Sequence, residues 1–406
     1  MTTARHPGRD RIRLSLMDLV ERFQPAAADG LALTYVLHIG AQIPMALHVR
    51  DGRCLVAAHV PGAGAEVVLR TDTDTWLELT DGRIDGIAAF LAGRLQVEGD
   101  LDLAARFETL FRPAPDATRT IRSRRTRSRG VTIDAIVAGE GTPVLLLHGL
   151  GATKVSFLPT LDGLADHYEV HALDLPGCGR SGKPVPTGRR YSMPWFADVV
   201  FGYLVANDLR DVHVVGNSMG ARIALELALS RPRSVRSVTA LAPAVGFDET
   251  RRLAPVLRML RPQWLGLAPA PVPAGTVERM IRELFHDPDL LPAQNLDAAA
   301  ADVRRALKDP GYRLALLASA RHLGAERSRG RRGYWTRLAE AIPPSLWVFG
   351  AQDPLVGAHY AGRIREALPA ADVQVWEGVG HVPQFEVPAR TNATLHGWLD
   401  RVETGR

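Results

Sequence analysis

Cysteine is scarce: Cys54 and Cys178 are the two in 406 residues, which excludes a disulfide scaffold and argues against a cysteine-rich zinc site. Net charge is small as well, with 49 basic residues against 44 acidic ones for +5. Thr118 to Gly130 (TRTIRSRRTRSRG) holds six arginines and no acid, so the excess belongs to that stretch and the remainder is near neutral. A nucleic-acid partner is therefore not expected, because it would need a basic face spread over a domain. Long apolar runs are missing too. The first twenty residues, MTTARHPGRDRIRLSLMDLV, have no uninterrupted apolar stretch and no small-residue cleavage site, so no secretory signal is expected. Leu31 to Val49 lacks Asp, Glu, Lys and Arg for 19 residues, long enough to invite a membrane span. Its two histidines, Gly40, Gln42 and Pro44 argue against one, and Gly40 to Pro44 reads as a turn between two strands. What is present is an ordinary globular composition, 46% hydrophobic and 23% charged. A soluble cytoplasmic chain of two or three domains is the expectation.

The pattern changes near residue 116. Before it, residues 12 to 24 suit an amphipathic helix with Ile12, Leu16, Leu19, Val20 and Phe23 on one side. Short strands follow at about 33–39, 45–50 and 54–60, separated by Gly40–Pro44 and Asp51-Gly52. A fourth strand, Glu66 to Arg70, leads to a helix that Thr or Asp of the TDTD cluster can cap. A helix near Ile84–Leu91, a strand over Leu95–Asp100 and a closing helix at about 101–111 complete the unit before Pro113 and Pro115. The stretch TDTDTWLELTDGRIDGIAAFLAGRLQVEGDLDLAARFETLF resembles the C-terminal half of sterol carrier protein type two domains, and the resemblance spans about 14–112. It implies binding of lipid-like molecules in an apolar tunnel between sheet and helices. Trp76, Leu79, Phe90, Leu91 and Phe107 read as core by their periodicity alone. No nucleophile–base set and no metal cluster is visible here, so this part reads as a binding module.

From residue 131 onward strands and helices alternate. Val131–Val137, Val144–Leu147, Tyr168–Leu173, Val212–Val215, Val235–Leu241, Ser345–Phe349 and Val373–Trp376 are the strand runs, which argues for an α/β fold around a largely parallel, doubly wound sheet. About 100 mostly helical residues between Leu241 and Ser345 are too many for a plain connection and read as an inserted helical cap, at about 243–335. The expected division is 1–116 for the small α+β domain, 117–130 for an Arg-rich linker or first edge strand, and 131–406 for the α/β domain.

Gly216-Asn217-Ser218-Met219-Gly220 directly follows the apolar strand VHVV and directly precedes a helical run. That is the setting a G-x-S-x-G nucleophile elbow requires, with small residues at Gly216 and Gly220 allowing a strained strand–turn–helix bend. His148-Gly149-Leu150-Gly151 ends strand VLLL, and its turn aims the Leu150 amide at the reaction centre, where with the Met219 amide it forms an oxyanion hole. His148 reads as an organiser of that loop, because the base in this chain order follows the nucleophile. The glycine-rich loop from Asp174 to Ser181 is structural, and Cys178 within it carries no catalytic role. Asp353, just past strand SLWVF, is placed to hold a histidine, and Gly380-His381 after strand VQVW supplies it. The order is Ser218, Asp353, His381.

Together these motifs resemble the α/β-hydrolase superfamily over about 131–406. The resemblance implies that Ser218 attacks an acyl carbon while His381 takes its proton and Asp353 orients His381. Water then repeats the sequence on the acyl-enzyme, with no metal and no cofactor. Serine at 218, where relatives acting at saturated carbon carry a carboxylate, argues for acyl chemistry. GNSMG is also similar to the motif of carbon–carbon bond hydrolases, which typically carry a longer glycine run than His148–Gly151 offers.

The fusion of a lipid-binding resemblance to a serine hydrolase points to esters of hydrophobic, lipid-like molecules, with tethering raising substrate concentration near the site. Trp264, Leu265, Leu267, Met280, Leu284 and Phe285 can line an acyl pocket or pack the cap on itself. Arg327, Arg329, Arg331 and Arg332 suit either transient contact with a membrane or anionic lipid, or a solvated loop. The alternatives are a C–C bond hydrolase or lyase using the same serine, and a lipid carrier with an inactive hydrolase domain.

Overall fold

The computed structural model describes residues 7–244, 273, 275–290, 293–325, 333–339 and 342–405. The chain divides into two compact units, Met1–Ser123 with Pro292–Asp302, and Arg124–Leu291 with Val303–Arg406.

In the first unit, helix α1 (Pro7–Glu21) precedes strands β1 (Ala32–Ile39), β2 (Met45–Arg50), β3 (Arg53–Ala58) and β4 (Val67–Thr71). Helices α2 (Thr73–Thr80) and α3 (Gly86–Leu91), strand β5 (Leu95–Gly99) and helix α4 (Leu101–Ala105) follow. The sheet order is β3-β2-β1-β4-β5, with β1 parallel to β4 and antiparallel to β2. The Leu31–Val49 run is therefore a hairpin, as its glycine and proline suggest, and among the described residues no helix is long and apolar enough to cross a membrane. Asp51 and Gly52 both adopt positive φ (51° and 67°), the conformation a two-residue hairpin turn demands.

Alternation along β1 sends Leu33, Tyr35, Leu37 and Ile39 into a core shared with Ile12, Leu16 and Leu19 of α1 and Trp76 of α2. Burial of the two polar aromatics is compensated: Tyr35 donates to the Leu103 carbonyl at 2.9 Å, and Trp76 Nε1 to Ser15 Oγ at 2.8 Å. Asp72, Asp85 and Asp100 cap α2, α3 and α4, each accepting the amide three residues on. The closing helix expected at about 101–111 is shorter. It stops at Ala105 and resumes as one 3₁₀ turn over Glu108–Leu110. Thr109 Oγ1 donates to the Arg106 carbonyl at 2.8 Å, beside the 3.0 Å bond that the Thr109 amide makes to the same carbonyl in that turn.

The second unit is built on an eight-stranded sheet of β6 (Ile121–Ser128), β7 (Val131–Ala138), β8 (Thr142–Leu147), β9 (Tyr168–Leu173), β10 (Val212–Asn217), β11 (Val235–Leu241), β12 (Ser345–Gly350) and β13 (Asp372–Trp376). Its order is β13-β12-β11-β10-β8-β9-β7-β6. Pairings from β9 through β8, β10, β11 and β12 to β13 are parallel, and β7 joins β9 antiparallel. This is the largely parallel α/β sheet that the alternation implied, in the α/β-hydrolase arrangement that the motifs resemble. β10 and β12 are buried along their whole length, as near-continuous apolar runs in a parallel sheet require. The arginine-rich stretch forms β6, the outermost strand, with Arg125 and Arg127 exposed.

Helix α5 (Leu158–Leu164) packs against the C-terminal helix Pro388–Thr404, and α6 (Met193–Ala206) against α7 (Met219–Ser230). β8 has β9 on one side and β10 on the other, so the chain reverses its winding there. Loops at the carboxyl ends of strands beside such a reversal form the crevice where α/β proteins place their chemistry. Between β11 and β12 the described residues include helices Thr276–Arg282, Pro310–Gly324 and Tyr334–Leu338. Met280 is exposed, and Leu284 and Phe285 are half-buried. Trp264, Leu265, Leu267 and the arginines at 327, 329, 331 and 332 lie outside the described residues.

Candidate active site

β10 ends at Asn217 and α7 begins at Met219, which leaves Ser218 alone to turn the chain. It does so at φ 53°, ψ −115°, a conformation that costs an L-residue of order 1–3 kcal/mol. Hydrogen bonds hold it there. The Ser218 amide donates to the Leu241 carbonyl at 2.9 Å, and its carbonyl accepts from Ala244 at 3.1 Å. The two glycines of the motif are needed because the bend leaves no room. A methyl on Gly216 would meet the main chain of Gly220 and Ala221, and one on Gly220 would meet the carbonyls of Leu147 and His148. Ser218 is half-buried at the start of α7, where main-chain amides favour developing negative charge.

His381 and Asp353 meet. His381 Nδ1 lies 2.8 Å from Asp353 Oδ2, with the imidazole 6% exposed and the carboxylate fully buried. Asp353 divides its oxygens: Oδ1 accepts the amides of Leu355 and Val356 at 2.7 and 2.9 Å, which fixes the carboxylate while Oδ2 faces the ring. A carboxylate on Nδ1 selects the tautomer with the proton there and leaves Nε2 as the basic nitrogen. Asn217 draws this pair to the serine. Its Nδ2 donates to the His381 carbonyl at 3.0 Å and to the Leu241 carbonyl at 3.2 Å.

Gly149 lies against Ser218: a Cβ built on it would stand 3.4 Å from Ser218 Cβ and 3.2 Å from Asn217 Oδ1. The following residue, Leu150, is 37% exposed, so the turn opens outward. Tyr312 of the helix Pro310–Gly324 donates to the Gly151 carbonyl at 2.7 Å and secures the turn's far side. His148 is fully buried beneath it. Its Nε2 accepts the Leu175 amide at 2.9 Å and its Nδ1 faces the Gly149 carbonyl at 2.8 Å. Both nitrogens are thus committed to main chain, and burial above all holds its pKa down to about 4. Cys178 is also buried, and burial pushes its thiol up to about 12, the opposite of an activated nucleophile.

Three contributors had no role assigned by sequence. Asn217 occupies the unspecified position of the serine motif. Gln352 accepts the amides of Gly378 and Val379 on Oε1 at 2.8 and 3.3 Å, so the loops bearing Asp353 and His381 are joined. Lys154, fully buried, lies 2.6 Å from Asp174 and 3.0 Å from Asp134, and its own amide donates to Asp174 at 2.9 Å. Asp174 also takes the Arg180 main-chain amide. Lysine is seldom fully buried unless paired, and its one charge here sits between two carboxylates.

Acid should weaken this scaffold above the carboxylate range. His148 is kept neutral by burial, and so is His213 of β10, where burial and the Arg236 charge outweigh the pull of Glu403. Unfolding frees both rings to take a proton below pH ~6.5. Between that pH and about 4 the unfolded state binds more protons, so the stability they contribute is present above ~6.5 and lost as pH falls. The melting temperature is expected to drop between pH 7.5 and 5, and less steeply in His213→Gln. A melting temperature flat across that window would refute the assignment.

The alpha/beta hydrolase fold family matches residues 142–388, and the SCP-2 sterol transfer family matches residues 18–112. The chain is 30% identical over 319 residues to the dihydrolipoyllysine-residue acetyltransferase component of the acetoin cleaving system of Cupriavidus necator, covering 78% of this chain and 75% of that one. It is 28% identical over 260 residues to the pimeloyl-[acyl-carrier protein] methyl ester esterase of Aeromonas salmonicida, covering 62% and 92%. Among solved structures, a membrane phospholipase A described as a bacterial virulence factor superposes with a TM-score of 0.58 at 24% identity, covering 78% and 92%. That likeness is one of fold.

Proposed function

Since the chain belongs to the alpha/beta hydrolase fold family and carries an SCP-2 sterol transfer domain before it, we propose that it is a serine hydrolase cleaving carboxylic esters of hydrophobic, lipid-like molecules through an acyl-enzyme. One observation carries the reading: the strained Ser218 adjoins Asn217, which binds the backbone of His381, itself paired with Asp353. Ser218 Oγ attacks the ester carbonyl and its proton passes to His381 Nε2. The imidazolium is stabilised by Asp353, and the amides of Leu150 and Met219 receive the oxyanion. His381 then protonates the leaving alcohol. Water, deprotonated by the same nitrogen, releases the acid and restores Ser218.

A fluorophosphonate probe is expected to label the wild-type chain on Ser218 and to leave Ser218→Ala unlabelled. Turnover across p-nitrophenyl esters from acetate to palmitate should rise with chain length. Absence of labelling would end the enzyme reading, and cleavage of a vinylogous diketone in preference to any ester would move it to C–C hydrolysis.

The first unit binds the lipid in this reading. What supports it is the match of residues 18–112 to the SCP-2 sterol transfer family, and the apolar interior includes the rings of Tyr35, Phe107 and Phe111, with the Phe107 centroid 4.9 and 5.3 Å from the other two. Full-length protein whose serine is already phosphonylated should still bind a fluorescent long-chain fatty acid saturably. If the phosphonylated chain no longer binds it, the only lipid site is the catalytic one.

A further inference from the structure

Glu386 closes the short helix Pro383–Glu386, five residues past the histidine, and is 6% exposed. Its carboxylate reaches in two directions. Oε2 accepts the amide of Gly380, the residue before His381, at 2.7 Å. Oε1 accepts the amides of His286 and Asp287 at 2.6 and 3.2 Å, and these belong to the segment that follows the helix Thr276–Arg282 between β11 and β12. That segment also takes hold of the histidine directly, because the His381 amide donates to the Leu284 carbonyl at 2.7 Å. Phe285 and Phe385 face each other with ring centroids 6.3 Å apart alongside. A Cβ on Gly380 would stand 2.5 Å from the Leu284 carbonyl oxygen and 2.8 Å from the His286 nitrogen, so the two backbones are in near contact.

We propose that Glu386 is a positioning residue that clasps residues 284–287 of the inserted region to the loop carrying the general base, so that the seating of that region sets the reach of His381 toward Ser218. The inference rests on the hydrolase reading above. Three charge-assisted bonds to main-chain amides, which are shorter and stronger than neutral ones, meet on one buried carboxylate. All the partners are backbone, so the side chains at 286 and 287 are not what the clasp reads. Withdrawing the carboxylate leaves amides of both segments unpaired and frees each to move alone. Displacement of a base by about 1 Å can cost on the order of 10²-fold in rate without altering what binds.

Two variants test this in the full-length chain. Glu386→Gln keeps the shape but turns an N–H₂ group toward one of the amide sets. Gly380→Ala leaves Glu386 intact and wedges a methyl between the segments. Turnover of p-nitrophenyl butyrate is measured per active site, counted by the acylation burst, with circular dichroism to check folding. Both variants are expected to lower kcat at least tenfold with KM within about threefold of wild type, and to slow phosphonylation of Ser218 in parallel. A merely structural role would lower the number of titratable sites and leave kcat per site alone. Per-site kcat within twofold of wild type in both variants overturns the proposal, and so does loss of fold in both, which would make the clasp a folding element. Failure of the wild type to acylate at all would instead overturn the hydrolase reading.

Discussion

Replacing Ser218 by alanine is expected to reduce ester turnover by about 10⁶-fold, to the level left by binding and oxyanion contacts, while the chain stays folded. Alanine keeps the β-carbon that the bend already accommodates, so stability should change little. His381→Ala should cost as much, and the double variant no more than either alone, because in the proposed reaction nucleophile and base act as one unit. Asp353→Asn should cost about 10⁴-fold, since an amide on Nδ1 no longer selects the tautomer that leaves Nε2 basic. The Asp353 side chain is wholly buried and bonded to the Leu355 and Val356 amides, so asparagine can keep its place and the loss reports on chemistry. Additive losses for Ser218 and His381 would show that they do not share a step. Turnover in Ser218→Ala within tenfold of wild type would remove Ser218 from the reaction.

The largest effect on stability is expected at Glu226, eight residues into α7. It is 3% exposed and binds two arginines. Arg222, one turn earlier and fully buried, lies 3.0 Å from Oε2, and Arg337 of the helix Tyr334–Leu338 lies 2.6 Å from Oε1. The Tyr334 ring sits 4.3 Å from the Arg222 guanidinium and covers its other side. Glu226→Ala strips the shared acceptor from a cation that cannot lose its proton, and breaking a buried pair in this way costs about 3–5 kcal/mol. Against a total of roughly 5–15 kcal/mol, that is enough to shift a urea midpoint severely. A loss below about 1 kcal/mol would mean that Arg222 finds other compensation. Burial opposes the charge on Glu226, but the two arginines overcome it and hold its carboxyl below the usual range. The stability it contributes is present above pH ~4.3 and lost as pH falls further, so its acid step lies beneath that of the histidines.

What could be read in the sequence was local. Gly216 and Gly220 announce the serine turn because no larger side chain fits against Leu147, His148 and Ala221. Asp51-Gly52 announces its hairpin by the positive φ both residues adopt, and β10 and β12 show their burial as near-continuous apolar runs. What could not be read depends on partners distant in sequence and drawn from main chain. Glu386 stands in plain view beside His381, yet the three amides it binds carry no side-chain signature. Asn217 bonds to carbonyls 24 and 164 residues away. Lys154 has no motif around it, and its burial depends on Asp134 and Asp174, brought to it from elsewhere in the chain. The closing helix of the first unit stops at Ala105 and resumes as a 3₁₀ turn in which the Thr109 amide bonds the Arg106 carbonyl, a change of winding that periodicity does not record.

The backbone of Ser218 has a further consequence. Reflected through the origin, φ 53° and ψ −115° fall in the broad extended basin, so the achiral residue would rest there at ease while any chiral one is held under tension. Durability and reactivity are opposed at this one position. The sturdiest version of the molecule is the one whose turn carries no hydroxyl, and the serine is kept in its uncomfortable place by the bonds of its main chain to Leu241 and Ala244.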